Sequence, residues 1–258
     1  MYNARPYILA ETNWEVVRDT DYQLAILPWG ATEAHNFHLP YATDNYQNEH
    51  IVSRCAATAW EKGAKVIVLP NVPFGVNTGQ MDIKLCLNMS PSTQYAVLAD
   101  IAEVVHRAGI SKLLIFNGHG GNQFKTMIRE LALPYPDMFV SAMNWYQVVK
   151  AWQNYFAHKG DHGGEMETSV MLHAFPELVR PLKEAGDGAA KSYRFQAMRD
   201  GWAYSQRPWS TVSKDTGVGN PYQATAKKGA TYLEAVCSQV SQYFYELATT
   251  PNEEIFVD

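Results

Sequence analysis

Residues 27–44, LPWGATEAHNFHLPYATD, set Glu33, His35, His38 and Asp44 in a stretch with no other charged residue. Glu33 and His35 are two apart, so in an extended segment both point to one side. Asp44 stands where a helical pattern begins, and capping that helix is its alternative use. A second block, FNGHGGN at 116–122, places His119 directly after an apolar run. Gly120 and Gly121 let the backbone turn sharply and come close to a ligand, which makes them pocket candidates. A plain tight turn or an anion nest would use the same glycines, but no nucleotide-binding fingerprint is completed. A third block, DHGGEMETS at 161–169, carries His162, Glu165 and Glu167 near a helix start. His162 and Glu165 would share a helical face, whereas Glu165 and Glu167 would diverge by about 200° and so do different work. Acidic residues also favour a helix N-terminus for its dipole alone. Taken together, these blocks supply nitrogen and oxygen ligands from separate strand ends. That is too many for one four-coordinate zinc ion, and it suits two divalent ions sharing a carboxylate about 3.5–4 Å apart. Zinc, manganese or iron would all accept the donor set.

The elements that must hold these residues alternate. YQLAILP, KVIVLP, KLLIF and MFVSAMNW read as strands, and their continuous apolar character predicts a parallel sheet covered on both faces. Helices are expected through NYQNEHIVSRCAATAWEKG, with Thr43 or Asp44 as cap, and through SPSTQYAVLADIAEVVHRAG, with Pro91 in its first turn. In the latter, Val97, Leu98, Ile101, Val104, Val105 and Ala108 form the apolar face. GEMETSVMLHAF reads as a helix, as does the C-terminal YQATAKKGATYLEAVCSQVSQYFYEL, with Leu233, Val236, Val240, Phe244 and Leu247 at helical spacing. In such folds ligands bind at the carboxyl ends of strands, where all three polar blocks lie. Residues 180–222 form a Gly-, polar- and aromatic-rich excursion, expected to cover the site or a subunit contact.

The chain has 258 residues, 47% hydrophobic and 18% charged, with a net charge of −5. This predicts one globular domain over 1–258. No basic run suggests nucleic acid, no apolar stretch is long enough for a membrane span, and the start lacks a signal-peptide pattern. Three scattered cysteines argue against a disulfide framework and for a reducing cytoplasm.

The three blocks, in this order, with GVGNPYQATAKKG near the C-terminus, resemble the signature of the creatininase (creatinine amidohydrolase) family over about residues 23–230. The resemblance implies a three-layer α/β/α sandwich with a mostly parallel sheet, a binuclear centre of two zinc or manganese ions (iron possible) and a homohexamer. It makes Glu33, His35, Asp44 and His119 metal ligands, with Asp44 bridging. Creatininase itself has Glu where this chain has Gly121; relatives that share the glycine carry the H-x-G-E form seen at His162–Glu165, so Glu165 is expected as fifth ligand. HNFHLP also departs from the usual HGPHLP. The Gly121 departure weakens creatinine as the substrate, while Trp145 matches an aromatic residue near the creatininase pocket. His162 is the expected proton donor, with Glu167 orienting it; His38 is expected to pack or to bond within its loop.

The expected activity is hydrolysis of a non-peptide C–N bond in a small linear or cyclic amide by metal-activated water. The alternatives on the same scaffold are deformylation of flavin- or deazaflavin-precursor formamides and trimming of a peptide. A binding protein without turnover is the remaining reading.

Overall fold

The computed structural model describes residues 4–258. Four strands, β1 (Leu24–Trp29), β2 (Val66–Val68), β3 (Lys112–Asn117) and β4 (Phe139–Asn144), form one sheet in the order β2-β1-β3-β4. All three pairings are parallel, with Ile26 opposite Val68 and Leu114, and Leu114 opposite Ser141. Every residue of β1, β2 and β3 is buried, as unbroken apolar runs require when both faces are covered.

The covering layers follow from side-chain alternation. A short helix, α1 (Trp14–Arg18), precedes β1; Leu24, Ile26, Val66, Val68, Leu114 and Phe116 face helices α2 (Thr43–Glu61) and α8 (Ala226–Thr249). Ala25, Leu27, Trp29, Ile67, Leu113 and Ile115 face α3 (Pro91–Arg107) and α4 (Lys125–Leu131). The result is the three-layer α/β/α arrangement. All five expected apolar positions of α8 are buried, each contributing roughly 1.5–3 kcal/mol. In α3 the buried stripe is Gln94, Leu98, Ala102 and Val105. Val104, placed on the apolar face from the sequence, is 67% exposed, because a run of adjacent apolar residues spans more of the helix than one sheet face can cover.

Helix ends largely sit where the sequence puts them. Pro91 opens α3, and Gly63 and Gly109, both at positive φ, follow α2 and α3. Asp44 is not the cap of α2: the cap is Ala42, and Asp44 lies within the first turn, leaving its carboxylate free for other partners.

The chain moves outward from β1 to β2, then crosses back to β3. Strand order therefore reverses between β1 and β3, and a crevice opens beyond their carboxyl ends. The segment after β1, the glycine turn after β3 and the start of α5 (Glu165–Ala174) all meet there. Residues 180–222 contain two short helices, α6 (Gln196–Arg199) and α7 (Trp209–Val212), and lie over one side of this crevice. Among the described residues no helix is long and apolar enough to cross a membrane.

Candidate functional site

Glu33 and His35 leave β1 in extended chain, and both turn inward as their spacing predicts. Glu33, His35 and Asp44 are each at most 2% exposed. His35 Nε2 lies 3.0 Å from Asp44 Oδ1 and 3.9 Å from Glu33 Oε1. From the turn after β3, His119 Nδ1 reaches Glu33 Oε1 at 2.8 Å and Asp44 Oδ2 at 3.1 Å. His162 Nδ1 stands 3.7 Å from Glu33 Oε1, and its ring lies 4.0 Å from that of His35.

Each imidazole is fixed by its other nitrogen. His35 Nδ1–H donates to the Glu33 carbonyl, His119 Nε2–H to the Val76 carbonyl and His162 Nε2–H to the Ala34 carbonyl, at 3.1, 3.1 and 2.7 Å. Since a carbonyl only accepts, the remaining nitrogens point lone pairs at carboxylate oxygens. A proton or a cation must lie between them. Among the described residues the ion-pair partners of Glu33 and Asp44 are all histidines, and Asp44 Oδ2 is buried without a hydrogen-bond partner.

Ligand atoms within 4.8 Å of one another form three groups: Glu33–Asp44–His119, His35–Asp44–Glu167 and Glu33–His35–His162. Asp44 belongs to the first two through different oxygens. The donor chemistry fits divalent cations of the zinc and manganese kind.

Without an ion, protons fill these positions. Burial disfavours a charged His35, but the facing Asp44 and then Glu33 override it and raise the imidazole to about 10. Burial likewise opposes charge on His119, yet Glu33 and Asp44 hold it well above the ordinary value. Burial resists ionisation of Asp44, and His35 and His119 nevertheless keep it well below the usual carboxylate range. Burial and nearby His35 lower His162, which favours its neutral ring. Burial raises Glu167 to about 7, with His35 opposing and Asp44 and Glu33 adding.

Glu165, expected beside these residues, is turned away. Its Oε2 accepts the Ala157 and His158 N–H groups, both at 2.9 Å, and its Oε1 meets the Lys228 ammonium. Glu167 instead reaches the centre, where it also accepts the Gly163 N–H. The two side chains diverge as the helical spacing predicts, and it is Glu167, not Glu165, that turns toward the cluster. The helix begins at Glu165, so His162 lies outside it and the three-residue spacing no longer puts His162 and Glu165 on one face.

Gly121 cannot carry an inward carboxylate, because a Cβ there would overlap the Val76 carbonyl and the His119 ring. Trp145, expected at the pocket, is 1% exposed and packs in the core between the sheet and α8. Its neighbour Tyr146 lines the site, with a hydroxyl 3.9 Å from the point where a Gly120 Cβ would be. His38 bonds Thr168 Oγ1 at 2.8 Å and stays outside the cluster.

The sequence reading missed the supports. Gln80 donates to Glu33 Oε2, and the Cys86 thiol donates to Gln80 Oε1 at 3.2 Å while accepting the Ala34 N–H. Asn117 and Asn122 bond each other at 2.9 Å and Asn117 Nδ2 donates to the His119 carbonyl, setting the glycine turn. The asparagines bracket GHGG in the sequence, which is the one signal that could have found them; Gln80 and Cys86 carry none.

Two cavities open on the cluster. One of about 630 Å³ is walled by Tyr193, Met198, Tyr204, Arg207 and Trp209 of the excursion, and includes Gly120 and Gly121. The other, about 400 Å³, runs beneath residues 146–167 and also includes Gly120. Glu33, His119, Asp161 and His162 border both.

The sequence matches the family described as creatinine amidohydrolase over residues 10–244. A crystal structure of a candidate creatinine amidohydrolase from Bacteroides fragilis is 42% identical, covers 96% of this chain and 98% of its own, and superposes with a TM-score of 0.90. The mycofactocin precursor peptide peptidase of Mycobacterium ulcerans is 25% identical over 88% of both chains. A manganese form of creatininase, 22% identical over 95% of this chain and 99% of its own, shares the fold with a TM-score of 0.76. With a family match across most of its length, this chain belongs to the creatinine amidohydrolase family of hydrolases.

Proposed function

We propose that this chain is a binuclear, metal-dependent amidohydrolase that cleaves a C–N bond of a small amide. The observation that carries this reading is the placement of Asp44, whose Oδ1 faces His35 and whose Oδ2 faces His119. Glu33, His119 and Asp44 would hold one ion, and His35, Glu167 and Asp44 the other. When bound, two such ions lower the pKa of water and polarise a carbonyl. Manganese and zinc forms of creatininase share this fold, in agreement with the donor set.

The chain's own residues supply the rest. The His162 Nε2–H is held by the Ala34 carbonyl, which leaves the Nδ1 lone pair facing the site. That nitrogen can take a proton from attacking water and pass it to the departing amine. The Tyr146 hydroxyl has no intramolecular partner among the described residues and is placed to hold the amide oxygen. Trp209 lies edge-on to His162, with ring centroids 5.1 Å apart, and forms part of the same cavity wall.

Elemental analysis tests the reading. The purified protein is expected to hold about two divalent ions per chain, and Asp44→Ala to lose both together. One ion or none, unaffected by the substitution, would overturn it.

Peptide trimming is the second reading. The two cavities, about 630 and 400 Å³, meet at the cluster, are otherwise walled by different segments, and give more room than a single small ring needs. A relative matching 88% of this chain is named a peptide peptidase.

A further inference from the structure

The smaller cavity has a composition that the chemistry at its base does not explain. Away from the cluster its walls are mixed: Val149, Trp152, Phe156, Met166 and Tyr232 give one apolar and aromatic flank, with Gln147 and His158 among the polar lining. Lys150 and Lys159 stand at its border, both exposed, and neither has a carboxylate partner among the described residues. This is unusual for the neighbourhood. Lys228 nearby is committed to Glu165, and the acidic residue between the two cavities, Asp161, is held by Arg207 at 2.7 Å. A cavity with an aromatic and apolar flank and two ammonium groups at its border, in a chain whose net charge is −5, fits a ligand with an apolar side chain that ends in an anion. A small neutral ring would leave both lysines unused.

We propose that this cavity is a carboxylate-binding arm of the substrate site. It takes an N-acyl amino acid or a similar amide, with the apolar side chain against Trp152 and Phe156 and the free carboxylate at Lys150 and Lys159. The arm deepens the amidohydrolase reading above and rests on it for the position of the scissile amide.

The test compares N-acetylphenylalanine with N-acetylphenylalaninamide on the metal-loaded full chain. Binding is followed by calorimetry and hydrolysis is assayed separately. The free acid is expected to bind at least about ten-fold more tightly than the carboxamide, an advantage that shrinks as salt rises. Lys150→Gln/Lys159→Gln is expected to erase that preference while metal content and carboxamide binding stay unchanged. Equal binding of the two probes, or no binding of either, overturns the proposal. So does a preference that survives in the double variant, which would place the carboxylate on the metal ions rather than the lysines. The two readings fail separately. Acid-selective binding that depends on the lysines, with no amide cleaved, keeps the arm and removes the amidohydrolase. Cleavage of both probes without preference does the reverse.

Discussion

Glu165 and Glu167 show how two neighbouring carboxylates come to different uses. Glu165 is fully buried and satisfied by two backbone N–H groups and Lys228. Glu165→Gln is expected to retain metal but lose about 1–3 kcal/mol of stability, since it strips acceptors from buried donors. Glu167→Gln is expected to do the opposite, weakening one of two metal equivalents with little change in Tm. Metal titration and thermal melts of the pair separate these outcomes, and a Glu165→Gln protein that loses an ion would reverse the assignment. For His162 the expectation is a proton-transfer loss. His162→Ala should keep both ions and lose about 10²–10⁴ in kcat; full turnover in the metal-replete variant would remove His162 from the mechanism.

At the scale of elements, the site depends on the turn after β3. Asn117 ends the strand, Asn122 bonds back to it, and His119 is fixed between them by the Val76 carbonyl. Gly121 is tight against that carbonyl, so even a methyl group must push the turn away. Gly121→Ala is expected to displace His119, cut metal affinity by at least about ten-fold and leave the sheet intact. Wild-type affinity in that variant would show the turn to be more pliant than its packing indicates. The turn was legible in the sequence as a strand opening into GHGG. Its depth was not, because the Val76 carbonyl comes from a loop more than forty residues earlier.

At the scale of the whole molecule, the same buried groups link stability to pH and to metal. In the metal-free protein His35 is raised to about 10. Its stabilising share is complete below its unfolded value, near 6.5, and is lost as pH rises through 10. Glu167, raised to about 7, acts in the same direction, its share lost as pH rises through 7. His38 is buried and lowered to about 4, so its share is complete above about 6.5 and is lost as pH falls towards 4. Metal-free protein should therefore melt earlier at pH 9 than at pH 7. The metal-loaded protein should resist that alkaline loss, because ions replace the protons on His35 and His119. Parallel Tm profiles with and without metal would sink this linkage. The remainder of the molecule supplies the rigid frame, with the α8 stripe of Leu233, Val236, Val240 and Phe244 closing one face of the sheet.

The sequence by itself determined the strand-and-helix alternation, the parallel sheet and the residue types that gather beyond its strand ends. Those features follow from local rules: apolar runs bury on both sides, and a two-residue spacing in extended chain turns Glu33 and His35 the same way. Tertiary structure decided what local rules leave open. Where α5 begins turns Glu167 rather than Glu165 toward the cluster, and the direction of the chain after β4 sends Trp145 to the core and Tyr146 to the cavity. The wall formed by residues 193–209 and the supports from Gln80 and Cys86 depend on chain segments distant in sequence. A one-residue change of phase at an element's end alters which partner a side chain meets. That phase is set by packing against segments far along the chain, beyond the reach of a pattern read over a few residues.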